Sequence, residues 1–158
     1  MAGYEQLCEE LGAEFDRRGI HLAVAESLTG GLLTNAFAKA SGASEWFCGG
    51  VVAYQRNPKH NLLDVPDGPV VSEASAVAMA RGATRVLAGD VGLAVTGAGG
   101  PDPQDGQPPG TVWIAVVTSD ATTTRQYAFD GDPPTVIDHA VTAAVQLLDN
   151  HVRQVLPQ

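Results

Sequence analysis

The chain has 158 residues, of which 44% are hydrophobic and 17% are charged, and its formal net charge is −9. This size and composition predict one folded domain over residues 1–158 and exclude a disordered protein. The nine lysine and arginine residues are spread along the chain, so no cluster of cations is available to neutralise nucleic-acid phosphates. We therefore expect no nucleic-acid partner.

The sequence also carries no signal for a membrane or a metal. Its apolar stretches are only strand-sized, and its N-terminal segment lacks the basic and apolar regions of a signal peptide. Cys8 and Cys48 cannot form a disulfide framework, and the four histidines lack metal-ligand spacing. These features predict a cytoplasmic protein with no membrane partner and no bound metal.

The first half of the chain alternates between helical and strand-like patterns. A helix is predicted over 4–18, because apolar residues repeat every four positions, and Gly19 is its predicted stop. Asn57 and Pro58 resemble a helix cap followed by a first-turn proline. The segments that follow the first helix are a strand over 21–25, a helix over about 31–39, a strand over 46–54 and a helix over 57–63.

The second half begins with a helix over 72–81, for which Ser72 is the predicted cap. It continues with a strand over 91–96, a long loop over 97–110, a pair of strands over 111–118 and 122–129, and a helix over 133–155. This order predicts a three-layer α/β/α sandwich with a mixed sheet of about five or six strands.

Ser27 lies between the first strand and the next helix. In open α/β sheets, ligands bind beyond the carboxyl ends of the strands, where 26–31, 54–60 and 97–110 are expected to converge. Ser27 is a candidate nucleophile, with N–H groups near Gly30 and Gly31 as an oxyanion hole. The alternative is that Ser27 or Thr29 only caps the following helix. By local position alone the cap is the commoner role, and the segment is not a G-x-S-x-G elbow.

Tyr54 ends the second predicted strand, and Lys59 follows it five residues later. A lysine beside an apolar strand can have its pKa lowered by desolvation and serve as the base for a serine nucleophile. It can equally be a solvated surface lysine, and Tyr54 can equally be a core residue with one hydroxyl partner. These two residues therefore leave catalytic and structural roles open.

A glycine-rich loop over 96–102 follows the third predicted strand and could present N–H groups to an anion. It is not a Walker A sequence, since no Gly-Lys-Ser/Thr follows it. It is not a dinucleotide fingerprint either, because Pro101 and Pro103 replace the expected helix. A purely structural loop is an equal alternative.

Taken together, these segments resemble the CinA C-terminal domain family, whose characterised activity is nicotinamide-nucleotide amidase. The matching segments agree in order and spacing over nearly the whole chain, and they are 25–31, 44–54, Lys59, 71–73, 95–102 and 109–113. The resemblance implies a stand-alone form of the domain, an α/β sandwich that forms a homodimer. It also implies no cofactor, a small-molecule pyridine nucleotide as partner, and a role in pyridine nucleotide salvage.

The activity implied by the resemblance hydrolyses the linear amide of nicotinamide mononucleotide to give nicotinate mononucleotide and ammonia. Ser27 would attack the carboxamide carbon and form an acyl-enzyme, Lys59 would take the serine proton, and Tyr54 would orient or relay it. The residues that the resemblance implies for substrate and oxyanion binding are Glu26, Thr29, Gly30, Gly31, Gly49, Gly50, Thr96, Gly97, Gly99 and Gly100.

One segment departs from the family pattern. Members typically carry two arginines four residues apart after the last strand, and Pro133 and Ile137 stand at those positions here. Leu28 also replaces the small residue expected beside the serine. Two alternatives therefore stay open: a nucleotide-binding or regulatory module with reduced or no amidase activity, and an amidase for a non-phosphorylated amide.

Overall fold

The computed structural model describes residues 3–156 as a five-stranded sheet between two layers of helices. Residues 1 and 158 lie outside the described residues, so the predicted domain bounds stay a prediction. In chain order the elements are α1 (Tyr4–Arg18), β1 (Leu22–Glu26), α2 (Leu32–Ala38), α3 (Ala43–Trp46), β2 (Phe47–Val52), α4 (Arg56–Leu63), α5 (Glu73–Leu87), β3 (Val91–Gly97), β4 (Thr111–Val117), β5 (Thr122–Ala128) and α6 (Pro133–Gln154).

The sheet is mixed, in the order β2-β1-β3-β4-β5. Strands β2 and β3 both pair in parallel with β1, whereas β4 is antiparallel to β3 and β5 is antiparallel to β4. Glu26 at the end of β1 pairs with Val52 in β2 and with Val95 in β3. The segments that follow these three parallel strands therefore start at the same edge of the sheet, as the sequence predicted.

Alternation along β1 divides the core into two layers. Leu22 and Val24 share one buried cluster with residues of α1, α2, α3 and α6, while Ala23 and Ala25 share the other with residues of α4 and α5. The α5 layer packs very closely, because a Cβ on Gly92 of β3 would lie 2.3 Å from a main-chain oxygen of α5. Helices on both faces of a mixed sheet confirm the predicted three-layer sandwich.

Trp46 differs from its prediction as the start of a strand. It ends the short helix α3, which the sequence analysis missed, and its side chain is 1% exposed. The indole packs between Phe15 and Phe37, at ring-centroid distances of 6.0 and 6.4 Å. Gly12 leaves the space for it, since a Cβ there would lie 2.5 Å from the ring. Burial of this large side chain against α1 favours the helical turn over an extended segment.

The two helices that follow β2 test two predicted caps. Ser72 caps α5 as predicted, because its Oγ accepts from the N–H of Ser75 at 3.1 Å. The predicted cap at Asn57 is wrong, since α4 already begins at Arg56 with Gln55 before it and no side-chain cap. The Arg56 guanidinium donates to the carbonyl of Gly68 and to a loop carboxylate, and these tertiary contacts hold the first turn one residue earlier than the sequence signal.

Helix α6 begins as its two prolines predict. Asp132 caps it by accepting from the N–H of Thr135 at 3.0 Å, and Pro133 and Pro134 occupy the first turn. Its apolar side chains are buried against the sheet and α1. Neither α6 nor any other helix within residues 3–156 has the length and apolar character that crossing a membrane requires.

Candidate active site

The turn after β1 fixes Ser27 at the edge of the sheet. Its N–H donates to the carbonyl of Val95 at 3.1 Å, and its own carbonyl accepts from the N–H of Gly30 at 3.1 Å. The residue is 4% exposed, and it lines a cavity of about 260 Å³ at the carboxyl ends of the parallel strands. Within residues 3–156 its hydroxyl has no hydrogen-bond partner.

Glu26 performs the capping role that the sequence left open for Ser27. Its fully buried carboxylate accepts from the N–H groups of Gly31, Leu33 and Thr34 at 3.2, 3.0 and 2.8 Å. It also accepts from the hydroxyl of Thr29 at 2.5 Å. A carboxylate at this position satisfies the otherwise unpaired donors of the first turn and complements the helix dipole. Glu26 and Thr29, both predicted to bind substrate, are therefore engaged in holding the turn.

Replacing Glu26 with glutamine should lower the free energy of unfolding by about 3 kcal/mol, since a neutral amide leaves buried N–H donors without an acceptor. Urea denaturation at constant m-value measures the change. Glu45→Gln, an exposed acidic residue in the first turn of α3, is the matched control and should change stability by less than about 0.5 kcal/mol. Unchanged stability of the Glu26 variant, together with weaker substrate binding, would instead favour a direct role in binding.

The cavity beside Ser27 gathers several of the predicted site residues. Its walls are Ser27, Leu28, Tyr54, Gly97 and residues 99–104. Tyr54 is 64% exposed at this position and is not a core residue. The structure thus brings together the predicted nucleophile, the predicted tyrosine and the glycine loop.

Seven of the ten predicted binding residues are not among the described cavity walls, namely Glu26, Thr29, Gly30, Gly31, Gly49, Gly50 and Thr96. The predicted base Lys59 is also outside these walls. Thr96 is fully buried, and its hydroxyl donates to the carbonyl of Val70 at 2.8 Å. Gly49 and Gly50 lie in the middle of β2 and pair with β1, away from the cavity walls. A Cβ on Gly50 would lie 1.9 Å from the hydroxyl of Thr34, so this glycine permits α2 to pack on the sheet.

The main-chain donors near Ser27 fall into two groups. The N–H groups of Gly30 and Gly31 donate to Ser27 and Glu26, so neither is available for an oxyanion. Among the described residues, the N–H groups of Leu28 and Thr29 donate to no protein acceptor. An N–H of the residue after a nucleophile is a common oxyanion donor. The available oxyanion donors of this turn are therefore Leu28 and Thr29.

Lys59 lies in α4 and is 1% exposed. Burial lowers the pKa of its ammonium from 10.5 to about 8, a change that nearby Asp105 opposes and Arg56 reinforces. No hydrogen bond joins its ammonium to the Ser27 hydroxyl in the described structure. Contacts between catalytic groups are often long before substrate binds. A buried amine that loses its proton near pH 8 can act as a base.

The charge of the cavity differs from that of a phosphate site. No lysine or arginine is among its described wall residues, which do include Asp102. A Cβ on Gly100 would lie 4.0 Å from Pro133, so the start of α6 lies beside the glycine loop. Within residues 3–156, no group of three or more His, Cys, Asp or Glu could hold a metal ion.

Asp105 is a residue of this region that the sequence patterns did not predict. Its carboxylate accepts from the N–H groups of Val70 and Val71 and pairs with Arg56, so it ties the long loop to the rest of the site. The only sequence signal is an Asp-Gly pair inside a loop, which is typical of turns in general. Its partners lie 34 to 49 residues away and cannot be found from local pattern.

The family model of the CinA C-terminal domain matches residues 4–152. Among curated proteins, a CinA-like protein of Frankia casuarinae is 41% identical over 137 residues, which cover 84% of this chain and 32% of the relative. A CinA-like protein of Geotalea uraniireducens is 42% identical over 125 residues, covering 75% of this chain and 30% of the relative. The chain spans about a third of the length of the curated relatives it matches.

Solved structures match over almost their full length. The crystal structure of the competence damage-inducible protein A (ComA) from Klebsiella pneumoniae has a TM-score of 0.92 at 32% identity, covering 97% of this chain and 99% of that one. A CinA superfamily protein from Escherichia coli has a TM-score of 0.89 at 35% identity, covering 94% and 90%. The fold described above is therefore the fold of these proteins.

Proposed function

Because the chain belongs to the CinA C-terminal domain family, we propose that it is an amidase that converts nicotinamide mononucleotide to nicotinate mononucleotide and ammonia. The observation that carries this proposal is the unpartnered hydroxyl of Ser27 in the wall of a cavity. Since Glu26 caps α2, Ser27 is not needed as a cap. A hydroxyl at the carboxyl ends of parallel strands lies where ligands of such sheets bind.

In the proposed reaction the Ser27 oxygen attacks the carboxamide carbon, and neutral Lys59 takes the serine proton. The tetrahedral oxyanion receives hydrogen bonds from the N–H groups of Leu28 and Thr29. Lys59 then gives its proton to the departing amine, so ammonia leaves and an acyl-enzyme remains. Lys59 then takes a proton from water, which attacks the ester, and returns that proton to the departing Ser27 oxygen, so nicotinate mononucleotide leaves and the free serine is restored. Tyr54 lies in the same wall as Ser27 and helps to orient the bound amide.

The experiment that tests this function measures ammonia and nicotinate mononucleotide released from nicotinamide mononucleotide by the intact protein. We expect both products to appear in equal amounts, at a rate proportional to the enzyme concentration. Absence of both products over a range of pH that extends well above 8 would contradict the proposal, because burial lowers the pKa of Lys59 to about 8.

A second candidate is an amidase for a non-phosphorylated amide, and the absence of lysine and arginine from the described cavity walls favours it. Comparing kcat/KM for nicotinamide riboside and nicotinamide mononucleotide separates the two candidates. A higher value for the riboside supports the second one. Calorimetric binding of either compound without ammonia release would instead indicate a binding module.

The other expectations from the sequence and from the resemblance remain predictions. They are a homodimer in solution, a cytoplasmic location, reaction without a cofactor and a role in pyridine nucleotide salvage. Sedimentation of the purified protein would test the first of them.

A further inference from the structure

Asp105 joins two parts of the molecule that carry different site residues. It lies in the loop whose residues 99–104 form a wall of the cavity beside Ser27. One carboxylate oxygen accepts from the N–H groups of Val70 and Val71 at 2.8 and 3.2 Å, and the other accepts from Arg56 at 3.0 Å. The Asp105 side chain is 14% exposed and that of Arg56 is 47% exposed, so solvent screens the ion pair more than the part-buried contacts with Val70 and Val71.

One partner of Asp105 is Arg56, which lies in the same helix as Lys59. Arg56 opens α4 and lies one helical turn before Lys59. The second guanidinium nitrogen of Arg56 donates to the carbonyl of Gly68, in the segment that also contains Val70. The buried hydroxyl of Thr96 ties Val70 to the end of β3. A single carboxylate therefore links the cavity loop, the helix of the lysine and the end of a central strand.

Asp105 also acts on Lys59 through its charge. Its carboxylate raises the pKa of the buried Lys59 ammonium, whereas Arg56 lowers it. Burial alone would raise the pKa of Asp105, but hydrogen bonds from Val70 and Val71 and the charge of Arg56 lower it below its ordinary value. These contacts therefore favour the ionised carboxylate. The two charges of the Arg56–Asp105 pair thus have opposite effects on one amine.

We propose that Asp105 is a positioning residue of the amidase, whose carboxylate holds the cavity loop against α4 so that the loop, Ser27 and Lys59 keep one arrangement. This inference rests on the proposed function. In the proposed reaction Asp105 contacts no reacting atom. It acts through the cavity loop and through Lys59.

The test compares Asp105→Asn with Arg56→Gln. Asparagine keeps the size of the side chain and tolerates the left-handed φ of 53° at this position, but it removes the charge. We expect kcat/KM to fall about tenfold or more in both variants, because both lose the link between loop and helix that positions the site. The acid limb of the pH–rate profile should move to lower pH in Asp105→Asn and to higher pH in Arg56→Gln. A merely structural role would not move the limb in opposite directions.

The titration of Lys59 can also be measured directly by NMR, because the chain has only two lysines, Lys39 and Lys59. NMR titration of isotope-labelled lysine should show the Lys59 midpoint falling in Asp105→Asn and rising in Arg56→Gln. Asp120→Asn, which removes the same charge from an exposed turn, should alter neither kcat/KM nor the Lys59 midpoint.

The outcomes separate the two proposals. An active wild type whose kcat/KM and pH profile are unaffected by Asp105→Asn overturns the role of Asp105 and leaves the amidase intact. Shifts of the limb in the same direction in both variants also overturn it. A wild type that releases no ammonia from any amide overturns the proposed function and this role together.

Discussion

Replacing Ser27 with alanine should reduce ammonia release from nicotinamide mononucleotide by about 10³-fold or more, because it removes the oxygen that forms the acyl-enzyme in the proposed reaction. Ser27 is held by main-chain hydrogen bonds to Val95 and Gly30, neither of which involves its side chain. The variant should therefore fold normally and keep its affinity for substrate. Steady-state kinetics together with calorimetric binding distinguish loss of chemistry from loss of binding.

Ser44→Ala is the matched control for this experiment. Ser44 is an exposed serine in α3, and its replacement should leave kcat/KM within about twofold of the wild type, as expected of a surface change. Mass spectrometry of the wild type after rapid quenching should detect the nicotinate-derived acyl group on Ser27 and none in the alanine variant. Full activity in Ser27→Ala would remove Ser27 as the nucleophile.

Much of the fold follows from local signals in the sequence. The apolar repeat of α1 and the left-handed Gly19 that ends it are confirmed, with φ of 68° at the glycine. The Ser72 cap and the prolines of α6 are confirmed in the same way. These features are encoded within a few residues of where they act. The turn at Trp46 was missed, because it depends on Phe15 and Gly12, about thirty residues away.

The candidate site likewise has some features that the sequence predicts and others that it does not. Parallel pairing of β1 with β2 and β3 brings together Ser27, Tyr54 and the glycine loop, and strand order alone predicts that convergence. Which side chain caps α2 could not be predicted, since Glu26 lies in the strand and reaches forward to the helix. The sequence also could not predict that the N–H groups of Leu28 and Thr29 are the free ones. The N–H groups of Gly30 and Gly31 are taken by the carbonyl of Ser27 and the carboxylate of Glu26, and these hydrogen bonds depend on the folded turn.

Replacing Lys59 with methionine should lower kcat/KM by about 10²–10⁴-fold, the usual contribution of a positioned general base. The neutral amine is the form that accepts the serine proton. Wild-type kcat/KM should therefore rise with pH and level off above about pH 8, the pKa to which burial lowers Lys59. The methionine variant should lose this limb, and a pH–rate profile of both proteins measures it.

Measurements of stability distinguish a catalytic role of Lys59 from a structural one. The folded-state pKa of Lys59 lies below its ordinary value of 10.5, so the buried ammonium destabilises the protein below about pH 8 and this cost is relieved as pH rises toward 10.5. Methionine fills a similar volume without a charge, so Lys59→Met should be at least as stable as the wild type in urea at pH 7. The exposed Lys39→Met is the control and should leave both activity and stability nearly unchanged. A Lys59→Met variant that is stable and fully active would show that another group deprotonates Ser27, whereas one that is stable and inactive assigns the loss to the missing amine.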